Sequence, residues 1–103
     1  MQVDEKTLHA IVTTRIKFSA EKAFVFGSRA RGQADFDSDT DICFIFAAFP
    51  EDPMELMFHL RRSIHSITDE PIDILVFESE VFERKALEGS SLEYTILVEG
   101  VAV

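Results

Sequence analysis

Apolar and polar residues repeat along this chain with periods of about 3.6 and about 2, and each change of period marks the end of an element. From Asp4 to Lys17 the helical period holds, with Leu8, Ile11, Val12 and Ile16 on one side and Glu5, His9 and Thr13 on another. Ala23-Phe24-Val25-Phe26 is a short apolar run stopped by Gly27, which predicts a buried strand. One helical turn is expected over Arg29–Gly32, a polar loop over Gln33–Ser38, and a second strand from Asp41 to Phe46.

The next helix is the best signalled. Asp52 is its expected N-cap, Pro53 suits the first helical position, and Glu55 sits in the first turn. Met57, Leu60, Ile64 and Ile67 form its expected buried stripe, with Glu55, His59, Arg62 and Ser66 on the wet side. Asp69-Glu70-Pro71 ends it, and Ile72–Phe77 reads as a third strand. Two short helices, Glu80–Glu88 and Leu92–Glu99, flank Gly89-Ser90-Ser91, and Val101-Ala102-Val103 suits a small edge strand.

This order places the chain in the α/β (α+β) class, as a single domain over residues 1–103. The expected architecture is a small mixed β-sheet with helices packed mainly on one face. So few helices can hardly cover both faces, so part of the apolar surface is expected to be closed by another chain, in a homo- or hetero-oligomer.

Composition narrows the class. With 103 residues, 47% of them hydrophobic and ten phenylalanines, the chain can build one modest core. No apolar run approaches the roughly 20 residues needed to span a bilayer, and Met1–Lys6 is not a signal region. The single Cys43 cannot form an internal disulfide. A soluble, cytoplasmic protein is expected, with no membrane partner. The net charge of -9 repels phosphate backbones, so no direct nucleic-acid partner is expected. It suits a basic protein partner, or serves solubility alone.

The chemistry gathers in Gly27-Ser28-Arg29-Ala30-Arg31-Gly32 and Ser38-Asp39-Thr40-Asp41-Ile42. Asp39, Asp41, Cys43 and Ile45 share one face of their strand, and Asp73, Leu75 and Phe77 share one face of theirs. If these strands are neighbours, three aspartates meet at one end of a sheet face. Asp39 and Asp41 can then bind one hard cation, and Mg²⁺ prefers one or two carboxylates together with phosphate oxygens and water. Asp73 either completes a metal site or accepts a proton from an attacking hydroxyl. Gly27 permits a tight turn and close backbone approach, Ser28 offers a hydroxyl, and the amides of the next turn suit an anion. Arg29 and Arg31 bring positive charge for a triphosphate, but their positions diverge and only one need point inward. The string is neither a Walker loop nor a Rossmann fingerprint.

Other candidates are weaker. His59 and His65 are six residues apart, too far round a helix to share a metal, and with His9 they read as surface residues. Cys43 reads as a buried apolar residue. Phe36 and Phe49 lie in loops, where a base, a partner or local packing can use them.

Gly27-Ser28, ten intervening residues and Asp39-Thr40-Asp41 resemble the signature of the DNA polymerase beta-like nucleotidyltransferases. The fuller strings, with Ile72-Asp73-Ile74-Leu75 and Glu99-Gly100-Val101, resemble their smallest branch, the minimal nucleotidyltransferases of prokaryotes. The likeness covers most of residues 22–77. It implies the nucleotidyltransferase fold, with Asp39, Asp41 and Asp73 as metal-binding catalytic residues. Gly27, Ser28, Arg29 and Arg31 would lie at the phosphates, Mg²⁺ would be the metal, and ATP the nucleotide donor. It also implies transfer of AMP to a hydroxyl, such as a tyrosine of a HEPN-type helical toxin, by a chain acting as antitoxin. Relatives that act on other acceptors carry further domains, and none is expected before Val103. Two readings stand beside this one: a non-catalytic antitoxin that occludes its partner, and a small-molecule nucleotidyltransferase completed by a second subunit.

Overall fold

Asp4 starts the first helix by accepting a hydrogen bond from the Thr7 amide at 2.7 Å, and α1 (Glu5–Lys17) runs on from there. The computed structural model describes residues 1–103, in the order α1, β1 (Lys22–Phe26), α2 (Gly27–Arg31), β2 (Thr40–Phe46), α3 (Pro53–His65), β3 (Ile72–Glu78), α4 (Ser79–Ala86), α5 (Leu92–Glu99) and β4 (Val101–Ala102). Every element expected from the apolar pattern is present, with small shifts at the ends. Asp52 caps α3 through the Met54 and Glu55 amides, with Pro53 in its first turn, as expected. Ser91 caps α5 by accepting from the Tyr94 amide, and its hydroxyl also bonds the Lys85 and Glu88 carbonyls at the end of α4. No helix is long and apolar enough to cross a membrane.

The four strands form one mixed sheet in the order β3-β2-β1-β4. β1 runs antiparallel to β2 and β4, while β2 and β3 are parallel and joined through α3, the crossover a parallel pair needs. Alternation along the strands makes two apolar faces. On one face, Ala23, Val25, Ile42, Phe44, Phe46, Ile72 and Ile74 pack with Ala10 and Ile11 of α1 and Leu56, Leu60 and Ile64 of α3. On the other, Phe24, Cys43 and Ile45 pack with Phe82 and Ala86 of α4 and Ile96 of α5.

The helical cover is thus unequal, heavier on the face of α1 and α3, as expected. The second face is not bare, however, because α4 and α5 roof it with a smaller cluster. What stays open is the outer side of these two helices, where Leu87, Leu92, Leu97 and Val98 are exposed.

Two helix faces differ from expectation. In α3 the buried stripe is Leu56, Leu60 and Ile64, and Met57 and Ile67 are half-buried flanks. In α1 the buried residues are Thr7, Ala10, Ile11 and Thr14, whereas Leu8 and Val12 are half-buried and Ile16 is exposed. Hydrogen bonding explains the second shift. The Thr7 hydroxyl meets that of Thr68 at 3.2 Å, and the Thr14 hydroxyl meets that of Ser63 at 2.7 Å. Each buried hydroxyl therefore has a partner, so a face of small polar residues packs against α3 without the cost of stranded donors.

Candidate functional site

Gly27 sets the site by its backbone. Its φ of +72° is a conformation that glycine adopts without a steric penalty, and it lets β1 pass directly into α2. The helical turn therefore begins at Gly27, two residues ahead of the expected start, and Ser28 lies within it. Gly32, also at +72°, ends α2 in the left-handed region.

Pairing then brings the carboxylates together. Phe26 lies opposite Asp41 in the β1–β2 ladder, which sets Gly27 beside the mouth of β2. The fit leaves no room for a side chain, since a Cβ on Gly27 would overlap the Asp41 carboxylate. In the parallel β2–β3 ladder Asp41 is the direct partner of Asp73, followed on the same face by Cys43 with Leu75 and Ile45 with Phe77. Asp39 stands one residue before β2 and shares the parity of Asp41. Asp39 and Asp73 are exposed and Asp41 is half-buried.

The electrostatics reflect this grouping. Burial, then the neighbouring charges of Asp73 and Asp39, push the Asp41 pKa above the ordinary carboxylate value, while Arg31 pulls it back down. Like charges held at one sheet end are unfavourable unless a cation or proton joins them. No three His, Cys, Asp or Glu side chains, the three aspartates included, are grouped so that they could hold a metal ion by themselves. An open set of carboxylates beside a glycine turn fits Mg²⁺, whose shell is completed by phosphate oxygens and water.

The two arginines separate, as their spacing implies. Arg31 is exposed, donates from Nε to Gln33 Oε1 at 3.1 Å, and extends its charge to Asp41. Arg29 is committed elsewhere. Its Nη2 donates to the Ser38 carbonyl at 2.8 Å and lies 3.3 Å from Glu70 Oε1, and its Nη1 donates to the Gln2 carbonyl at 3.3 Å. In the sequence Glu70 reads only as part of a helix stop, and nothing marks Gln2. No residue spacing signals these partners, which meet only in the folded chain.

The remaining candidates sort simply. Cys43 is fully buried, and burial together with the Glu93 charge pushes its pKa up to about 12. Nothing in the sequence pattern singles out Glu93. It is 8% exposed in the first turn of α5, with Lys85 Nζ at 4.0 Å. His59 bonds Glu51 and His65 bonds the Glu70 carbonyl, both at the surface. Phe49 packs edge-on against Phe46, while Phe36 is 97% exposed in the loop before Asp39.

Comparison with known proteins shows similarities of sequence and of fold. The family described as Polymerase beta, Nucleotidyltransferase matches this sequence over residues 8–95. A crystal structure of a protein from Sulfolobus solfataricus, assigned to the nucleotidyltransferases, superposes with a TM-score of 0.54 at 18% identity, covering 99% of this chain and 89% of that one. One chain of the toxin–antitoxin complex MntA–HpeT superposes with a TM-score of 0.61 at 16% identity, covering 97% of this chain and 72% of that one. That complex was solved as a mutant in which two aspartates, two residues apart, are replaced by glutamate. No curated protein matches the sequence. At these identities the structural likenesses show a shared fold.

Proposed function

The chain belongs to the polymerase beta nucleotidyltransferase family, and from that premise we propose that it transfers a nucleoside monophosphate, AMP from ATP, to a hydroxyl on a partner protein. The observation that carries this reading is the pairing of Asp41 with Asp73 beside the Gly27 turn, with Asp39 on the same side.

Asp39, Asp41 and Asp73 are the residues that would hold Mg²⁺, and such an ion, when bound, offsets triphosphate charge and polarises the α-phosphoryl group. Gly27 admits the phosphates to the backbone, the Ser28 hydroxyl donates to a phosphate oxygen, and Arg31 adds positive charge. The acceptor oxygen bonds to the α-phosphorus as the bridge to the β-phosphate breaks. Pyrophosphate leaves, and the hydroxyl proton passes to the exposed Asp73 carboxylate. Positioning and electrostatics supply most of the acceleration.

The proposed partner is a HEPN-type helical toxin modified at a tyrosine, with this chain as its antitoxin. Three observations support that reading: the fold likeness to a toxin–antitoxin chain, the net charge of -9, and the exposed apolar side of α4 and α5. The same apolar side favours a second reading, neutralisation by occlusion without catalysis. Incubation with labelled ATP, Mg²⁺ and the product of the neighbouring gene decides between them. Label on the partner, absent with Asp39→Ala or Asp41→Ala, supports the enzyme. A bound but unlabelled partner, neutralised equally well by both variants, replaces the enzyme with the occluding binder.

A further inference from the structure

Three backbone segments carry the candidate site groups, and one guanidinium is tied to all of them. Arg29 lies in α2 directly after Gly27-Ser28. Its Nη2 reaches the carbonyl of Ser38, the residue before Asp39, and the carboxylate of Glu70, three residues before Asp73. We propose that Arg29 is a positioning residue that fixes the spacing among the Gly27-Ser28 turn, Asp39 and Asp73, and that it does not contact the phosphates. The proposal rests on the nucleotidyltransferase reading above, which supplies the reason that this spacing matters.

The surroundings of Arg29 extend the tie at both ends. Glu70 accepts at 3.5 Å from the Thr40 hydroxyl, its amide donates to the Thr68 hydroxyl at 3.3 Å, and the Thr40 amide donates to the Pro71 carbonyl at 2.9 Å. The start of β2 and the approach to β3 are thus held to each other and to Arg29. On the other side, the Gln2 amide donates to the Arg29 carbonyl at 2.8 Å, and the Arg29 Nη1 donates to the Gln2 carbonyl. The Gln2 side chain then brackets Ala34, giving Nε2 to its carbonyl at 3.1 Å and taking its amide at 2.6 Å. The irregular segment from Gln33 to Ser38 is therefore pinned at both ends, and Asp39 follows it at once.

Charge and shape agree with this role. The Arg29 side chain is only 18% exposed, and the Glu70 carboxylate already answers its charge, whereas Arg31 is exposed and senses Asp41. A planar guanidinium holds several acceptors in fixed directions, which a single ammonium cannot do.

The test compares Arg29→Gln, Arg29→Lys, Glu70→Gln and Arg31→Gln with the unaltered chain. Arg29→Gln is expected to speed amide hydrogen exchange at Asp39–Thr40 and Ile72–Asp73 together, and Glu70→Gln at Ile72–Asp73 and, through its Thr40 contact, at Thr40. Binding of Mn²⁺ alone, read from the free-ion resonance signal, should weaken about ten-fold or more in Arg29→Gln, the scale seen when groups that orient ligands are removed. Arg29→Lys should recover little of it. At saturating Mn²⁺ a non-hydrolysable ATP analogue should lose less affinity in Arg29→Gln than in Arg31→Gln. Loss of the analogue with intact Mn²⁺ binding would make Arg29 a phosphate ligand and overturn the proposal. So would unchanged exchange at either segment. If Arg29→Gln does not fold, Glu70→Gln carries the same two measurements for the Asp73 arm. If the unaltered chain binds neither Mn²⁺ nor the analogue, the nucleotidyltransferase reading falls, and amide exchange alone decides whether Arg29 couples the segments.

Discussion

Gly27 and Asp41 compete for one space: the carboxylate of Asp41 occupies the volume that a methyl group on Gly27 would need. Gly27→Ala also places an L side chain at a φ of +72°, which costs about 1–2 kcal/mol before the overlap is counted. The variant is expected to lose at least that much stability in urea unfolding and to lose labelled transfer, because Asp41 must move. An alanine variant with unaltered stability would show that the turn does not need glycine.

The carboxylate cluster should weaken the fold near neutral pH. The Asp41 pKa is raised in the folded chain, first by burial and then by Asp73 and Asp39, so the folded state binds this proton more tightly than the unfolded state. Its contribution is fully favourable below the unfolded carboxylate pKa and is lost as pH rises through the raised value. Asp41→Asn should therefore raise the melting temperature at pH 7, with a gain that shrinks on acidification. Melting curves across pH check this, and a constant difference at every pH would contradict it.

Cys43 should be inert in the native chain. Its thiol is fully buried and its pKa is pushed up to about 12, so almost no thiolate is present to react. A thiol reagent is expected to label the protein only after denaturation. Fast native labelling would mean that the sheet face under α4 and α5 opens readily.

The α1–α3 contact offers a paired test. Thr14→Val leaves the Ser63 hydroxyl without its 2.7 Å partner, at a cost of about 1–3 kcal/mol. Adding Ser63→Ala should return part of that loss, since no stranded group remains. A double-mutant cycle in urea measures the coupling, and simple additivity would argue against the hydrogen bond.

The open side of α5 tests the partner reading. Leu97 and Val98 are exposed, so Leu97→Glu with Val98→Glu should change stability by only about 0.5 kcal/mol each. Association with the partner should fall by at least about 2 kcal/mol if these residues are among the contact's anchors. Unchanged affinity in a titration would move the contact to another face.

Much of this arrangement is legible in the amino-acid order, for reasons specific to each part. Asp52-Pro53 announces a helix start because capping is local chemistry, and the start of α3 follows from it. The Asp41–Asp73 pairing follows from two apolar runs of like period, since parallel neighbours in matching register leave their polar ends side by side. Long-range hydrogen bonding is where the sequence falls silent. Nothing in the apolar pattern marks Thr7 and Thr14 as buried, because their partners Thr68 and Ser63 are distant in sequence. Arg29 reads from the sequence only as positive charge for phosphates, and its contacts with Ser38 and Glu70 come to light only in the folded chain. Leu87 and Val98 are exposed, and apolar composition alone does not say which side of a short helix meets the sheet.

The parallel ladder between β2 and β3 also carries a consequence for biosynthesis. Asp73 leaves the ribosome 32 residues after Asp41, and the two become neighbours only when the intervening crossover has closed. A nascent chain that has completed its first two strands carries Asp39 and Asp41 but not the residue that Asp41 pairs with. A chain halted before β3 therefore lacks the Asp41–Asp73 pairing altogether.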